Sequence, residues 1–192
     1  AGTSPVITTG GAPAAPKYNF ATPIDSSKAV EYRNNNAGTS RNEKLSSNLE
    51  STIKKVLAPM GIKFAVYSGG QSATSNGTTG GPRHNGGNAA DGDFYIGDRQ
   101  LDWSKPEDLK IFEAIVEELA ANGVTGIGGD LDYMGTARLH IGFGGAATWG
   151  GKNGKGAAPK WMQDAHKRGL ERAKSGNVAT PIAEEKDETQ ES

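Results

Sequence analysis

The sequence predicts an α+β domain, and three observations carry that reading. Two long segments repeat apolar residues at helical spacing, four short runs are rich in β-branched or aromatic residues, and glycine-rich turns separate them. A chain of 192 residues suits one such domain and is short for two. Hydrophobic residues make up only 34% and glycines number 28, so the apolar material has to be concentrated in a middle section. Three regions are expected: an extended arm or linker over 1–40, a folded domain over 41–175, and a disordered acidic tail over 176–192.

Residues 1 to about 40 are rich in Gly, Ala, Pro, Ser, Thr and Asn without sustained periodicity, which makes an arm suited to docking on a protein partner but unable to build a core. From Asn42 to about Met60, Leu45, Leu49, Ile53, Val56 and Leu57 recur at helical spacing, and Pro59 with Gly61 marks the exit. Ile62 to Tyr67 reads as a strand that delivers the chain into a loop, from Ser68-Gly69-Gly70 to Gly81. Ala89 to Gly97, with Phe94, Tyr95 and Ile96, is a second strand.

Ser104 stands three residues before Glu107, the spacing of a capping box, and predicts a helix to about Asn122. Leu109, Phe112, Ile115, Val116 and Leu119 give it one apolar stripe, and Gly123 suits its C-terminal cap. Val124 to Ile127 and Ala137 to Phe143 read as two more strands on either side of a Gly-Gly-Asp-Leu-Asp-Tyr-Met-Gly turn region. A last helix is expected from about Pro159 to Lys174, and the segment from Glu184 onward is too polar to order itself.

Composition removes several functions. The net charge is −1 and the pI about 6.4, so the basic footprint that nucleic-acid binding needs is missing. There are no cysteines, which leaves only His and carboxylate as metal ligands. No apolar run approaches the roughly 20 residues of a membrane span. The start carries no charged-then-apolar leader, and Ala1 in place of Met leaves room for earlier processing.

The segment His84-Asn85-Gly86-Gly87-Asn88-Ala89-Ala90-Asp91, followed much later by His140 in Arg138-Leu139-His140-Ile141-Gly142, carries the chemistry. Catalytic zinc commonly takes three protein ligands from His and carboxylate and leaves a fourth position open. A loop residue, a residue at the start of a strand and one on a later strand can converge because a sheet brings sequence-distant positions side by side. Small residues between His84 and Asp91 let the backbone pass close to an ion. His166, on the exposed-looking side of the last helix beside Lys167 and Arg168, reads as an ordinary surface or satisfied core histidine.

Ser68-Gly69-Gly70, then His84-x-x-Gly87-x-Ala89-x-Asp91, then a late strand histidine, resembles the zinc D-alanyl-D-alanine carboxypeptidase and L-alanyl-D-glutamate endopeptidase family of peptidoglycan peptidases, which includes phage endolysins. The resemblance covers about residues 42–145. It implies zinc on His84, Asp91 and His140, and a small Hedgehog-like α+β fold with a central antiparallel sheet and flanking helices. It further implies peptidoglycan stem peptides as substrate, and action at the cell wall or periplasm, whether secreted or phage-delivered. The related lysostaphin-type peptidases use a His-x-His pair, which His140-Ile141-Gly142 lacks.

Two positions depart from that pattern. The family commonly places a glutamate three residues before the last histidine, where this chain has Ala137; Asp130 and Asp132, in the turn ahead, are the candidate bases, though both also suit a turn. The family tends to carry an arginine shortly after the Ser-Gly pair, where this chain has Gln71, so the substrate-binding candidates are Ser68, Gln71 and Arg83. Arg138 alternates onto the face of His140 and is a candidate for the oxyanion charge. Asp93 is a candidate partner for a ligand imidazole, and Tyr133, Trp149 and Trp161 are candidates to line a groove. The departures keep a second reading open, a wall-binding or virion structural protein that retains the metal without hydrolysis.

Overall fold

The computed structural model describes residues 20–33, 43–72 and 81–176. Most of the arm, the loop at 73–80 and the tail from 177 lie outside the described residues. Within them the chain is α+β, with a seven-stranded mixed sheet and helices packed against it. The strands are β1 (Val30–Tyr32), β2 (Lys63–Ser68), β3 (Ala89–Ile96), β4 (Arg99–Gln100), β5 (Gly126–Gly128), β6 (Arg138–Gly142) and β7 (Ala147–Trp149). Their order is β1-β2-β3-β6-β5-β7, with β4 paired to the end of β3.

The four central strands pair antiparallel, while the two outer pairs, β1 with β2 and β5 with β7, are parallel. The sheet is therefore wider than the expected antiparallel one. The region read as an arm supplies β1, whose Val30-Glu31-Tyr32 is too short for period 2 to register but gains order by pairing with β2. Tyr32 then donates to Glu50 Oε1 at 2.7 Å, tying this edge to the first helix.

The helices are α1 (Ser47–Leu57), α2 (Pro106–Ala121), a single short turn α3 (Gly151–Gly154) and α4 (Lys160–Lys174). Ser46 caps α1 by accepting the Leu49 N–H, and a 3-10 turn at Ala58–Met60 ends it at Gly61, which takes φ +75. The expected capping box of α2 is absent. Ser104 instead directs both its N–H and its hydroxyl to Asp102 Oδ1, Lys105 holds the cap position and Pro106 opens the helix. Asp108 takes over the first turn: fully buried, it accepts the Asp102 N–H and both terminal nitrogens of Arg99, each at 3.0 Å.

One core joins the apolar stripes of α1, α2 and α4 to Phe64, Val66, Ala90, Phe94, Ile127, Leu139 and Ile141 of the sheet. Phe94 packs between Phe64 and Phe112 with ring centroids at 5.0 and 5.6 Å, and burying each such side chain contributes about 1.5–3 kcal/mol. His166 is the satisfied core histidine of its two expected readings: it is buried on α4 and donates from Nε2 to the Thr125 carbonyl at 2.8 Å. Among the described residues no helix is long and apolar enough to cross a membrane.

Because side chains alternate along a strand, the residues between the core positions of β3 and β6 point to the opposite face. Asp91, Asp93, Arg138 and His140 are those residues. Gly92, between the two aspartates, faces the core, where a Cβ would lie 2.4 Å from the Ala65 carbonyl oxygen and 2.6 Å from the Phe64 ring. Gly92→Ala should therefore lower stability by about 1–3 kcal/mol, read as a lower melting temperature, whereas Gly145→Ala, with nothing within 4 Å, should leave it unchanged.

Candidate metal centre

In the antiparallel register of β3 with β6, Asp91 stands opposite His140 and Asp93 opposite Arg138. Directly opposed residues place their Cβ atoms about 4.5–5.5 Å apart on one face, so Asp91 and His140 meet through sheet pairing alone. His84 arrives on the 3-10 turn Pro82–His84 just before β3. Gly87 makes that approach possible: at φ +78 it packs so closely on the chain entering α1 that a Cβ would lie 2.5 Å from the Ser46 nitrogen.

One ligand-type atom from each of His84, Asp91 and His140 lies within 4.8 Å of the others, and all three residues are buried. His84 Nε2 is 3.6 Å from Asp91 Oδ2, and His140 Nδ1 is 3.0 Å from Asp91 Oδ1. The two contacts use different oxygens of Asp91, so the carboxylate sits between the two imidazoles. The His84 Nδ1 contacts the Gly69 carbonyl at 2.9 Å. A carbonyl only accepts, so Nδ1 carries a proton and Nε2 is the nitrogen that faces the Asp91 carboxylate. Two electron-rich atoms so placed need a positive species between them, a proton or a metal cation.

Burial pushes the Asp91 carboxyl up, but the two imidazoles outweigh it and hold the group well below the usual carboxylate range. Burial drives His140 below its ordinary value, against the pull of Asp91, which favours the neutral form a metal requires. His140 Nε2 is buried and has no hydrogen-bond partner among the described residues. This group can hold a metal ion.

The three residues open on a cleft of about 400 Å³ whose walls include Arg83, Tyr133, Trp149 and Gly154. Behind the Arg83 and Trp149 walls lies β5, where Ile127 goes to the core and Gly126 and Gly128 lie against those two side chains. A Cβ at Gly126 would strike the Arg83 guanidinium at 2.2 Å, and one at Gly128 the Trp149 indole at 2.3 Å. The guanidinium lies over the Trp149 ring at 4.8 Å and donates to the Gly145 carbonyl at 3.1 Å. Trp149 in turn packs on His140, with centroids at 4.9 Å.

The other expected residues fall elsewhere. Gln71 is buried and holds the His84 loop: its side-chain amide donates to the Gly81 carbonyl and to Asn85 Oδ1, its N–H donates to the His84 carbonyl, and its carbonyl accepts from Gly86. Ser68 is buried in β2, in register with Asp91. Neither lines the cleft. Asp130 accepts the Leu131 N–H at 2.6 Å, Asp132 is exposed, and the cleft walls contain neither. Arg138 is clasped by Asp93 through two bonds of 3.0 Å and lies over the Tyr67 ring, so Asp93 serves this arginine rather than a ligand imidazole. Trp161 packs on Trp103 and Phe112, away from the cleft.

Calorimetric titration with Zn2+ should give one site per chain, and zinc at a hundred times its Kd should stabilise the fold by about 2.7 kcal/mol. His140→Ala should lose both responses. Without metal, His140 and Asp91 bind protons less readily folded than unfolded, so acid destabilises the fold. The melting temperature should begin to fall below pH 6.5, the ordinary histidine value, and fall further below 3.8, that of aspartate; His140→Gln should remove the first step.

No family model, no curated protein and no solved structure matches this chain.

Proposed function

We propose that this chain is a zinc metallopeptidase that hydrolyses peptide bonds of bacterial peptidoglycan at the cell wall or in the periplasm. The observation that carries the reading is the buried His84, Asp91 and His140 group opening on one cleft, together with the His84-x-x-Gly87-x-Ala89-x-Asp91 string that resembles the peptidoglycan peptidases. On this reading the antiparallel strands β2, β3, β6 and β5 form the Hedgehog-like centre of that fold. Zinc, when bound, supplies Lewis acidity for a scissile carbonyl and lowers the pKa of water to about 7.

The chain's own residues do the rest. His84 is held in one tautomer by the Gly69 carbonyl, and Gln71 fixes the loop that carries it. Arg83 brings a positive charge to the lining of the cleft, where it favours a peptide bearing carboxylates, as stem peptides do. The Trp149 face offers an apolar surface for the small side chains of such peptides.

Ala137 in place of a glutamate supports a second reading, a murein-binding protein that keeps the metal but does not cleave. Incubating purified peptidoglycan with the zinc-loaded protein separates the two. Mass spectrometry should detect new peptide termini, and His84→Ala or Asp91→Ala should abolish them. Retention on murein without any new terminus would favour the second reading.

A further inference from the structure

We propose that Tyr133 is a catalytic residue of this cleft, donating its phenolic proton as a hydrogen bond to the substrate carbonyl oxygen as that oxygen becomes negative. The assignment rests on the peptidase reading and supplies a donor that neither Arg138 nor the two turn aspartates provide. Arg138 is clasped by Asp93, and Asp130 and Asp132 are outside the cleft walls.

Among the described residues, and apart from the three ligand residues, the side-chain donors lining the cleft are those of Arg83, Trp149 and Tyr133. Arg83 is directed into the glycine cradle of β5 and bonded to the carbonyls of Phe143 and Gly145. Trp149 has a single N–H, and it donates to the Tyr133 oxygen at a long 3.4 Å. In that contact the phenol oxygen is the acceptor. An oxygen that accepts the indole proton has its own proton left to donate, and no acceptor for it is found among the described residues.

The phenol is also preorganised, which an oxyanion donor must be, since a group already in place costs no rearrangement during reaction. The N–H groups of Tyr133, Met134 and Gly135 converge on the Asp130 carbonyl at 3.1, 2.9 and 3.0 Å and fix the turn. On the other side Gly154, at φ +88, lies flat on the ring, where a Cβ would come within 2.8 Å of it. Lys152 and Asn153 hold left-handed backbone angles, φ 56 and 60, to bring that glycine there, and such conformations cost about 1–3 kcal/mol each.

Tyr133→Phe removes one oxygen and keeps the ring. With the muropeptide that the wild type cleaves as substrate, kcat should fall about 10²–10³-fold while KM stays within about twofold. Zinc stoichiometry and melting temperature should not change. A phosphinic pseudo-dipeptide of alanine, whose tetrahedral anion imitates the transition state, should bind the zinc-loaded variant about a hundredfold more weakly than wild type by calorimetry. An uncleaved alanyl peptide should bind both alike. If the wild type cleaves and Tyr133→Phe keeps kcat within about threefold, or loses phosphinate and peptide affinity equally, the role of Tyr133 is overturned and the peptidase reading stands. If the wild type neither cleaves muropeptides nor binds the phosphinate, the peptidase reading fails and takes the assignment with it.

Discussion

The registration of β3 against β6 is the constraint on which the rest of the molecule depends. It sets Asp91 against His140 and Asp93 against Arg138 on one face, and Ala90, Phe94, Leu139 and Ile141 on the other. A slip by one residue would turn Leu139 toward the site and His140 into the hydrocarbon core, exchanging the two faces completely. Core burial and site assembly are thus the same requirement. The clasp between Asp93 and Arg138 adds to it, because a bidentate carboxylate–guanidinium pair tolerates little sliding.

The ligand group was readable from the sequence through the His84-x-x-Gly87-x-Ala89-x-Asp91 string and its resemblance to a zinc peptidase motif, since lone histidines more often serve as ordinary surface or core residues. Two of three histidines sit in glycine-lined contexts, and the small residues at 87 and 89 have direct steric reasons, since Gly87 crosses the chain entering α1 and Ala89 faces Gly142. The helices were readable because their apolar stripes are long enough for the 3.6 period to register, and the structure has them within a few residues of the expected ends. Short elements carry no such signal. Val30-Glu31-Tyr32 and Ala147-Thr148-Trp149 become strands through their neighbours, and both add parallel pairs that local sequence cannot announce.

Polar roles were the least readable, because a carboxylate or amide takes whichever donor the fold brings to it. Asp102 draws Ser104 away from the expected cap, and Asp108 collects Arg99 from the neighbouring hairpin. Gln71 looked like a substitute for a substrate-facing arginine, yet its amide is consumed in bracing the loop of His84. The alternation Gly126-Ile127-Gly128 was the one unused signal. A strand that is apolar on one side and bare on the other implies something bulky lying over the bare side, here Arg83 and Trp149.

That bare strand separates two kinds of change. The contents of the space above it come from distant segments, while Ile127 alone anchors the strand below. Trimming the overlying arginine or indole would reshape the pocket while leaving the hydrophobic layer underneath in place, so the fold can survive changes that the site above it feels.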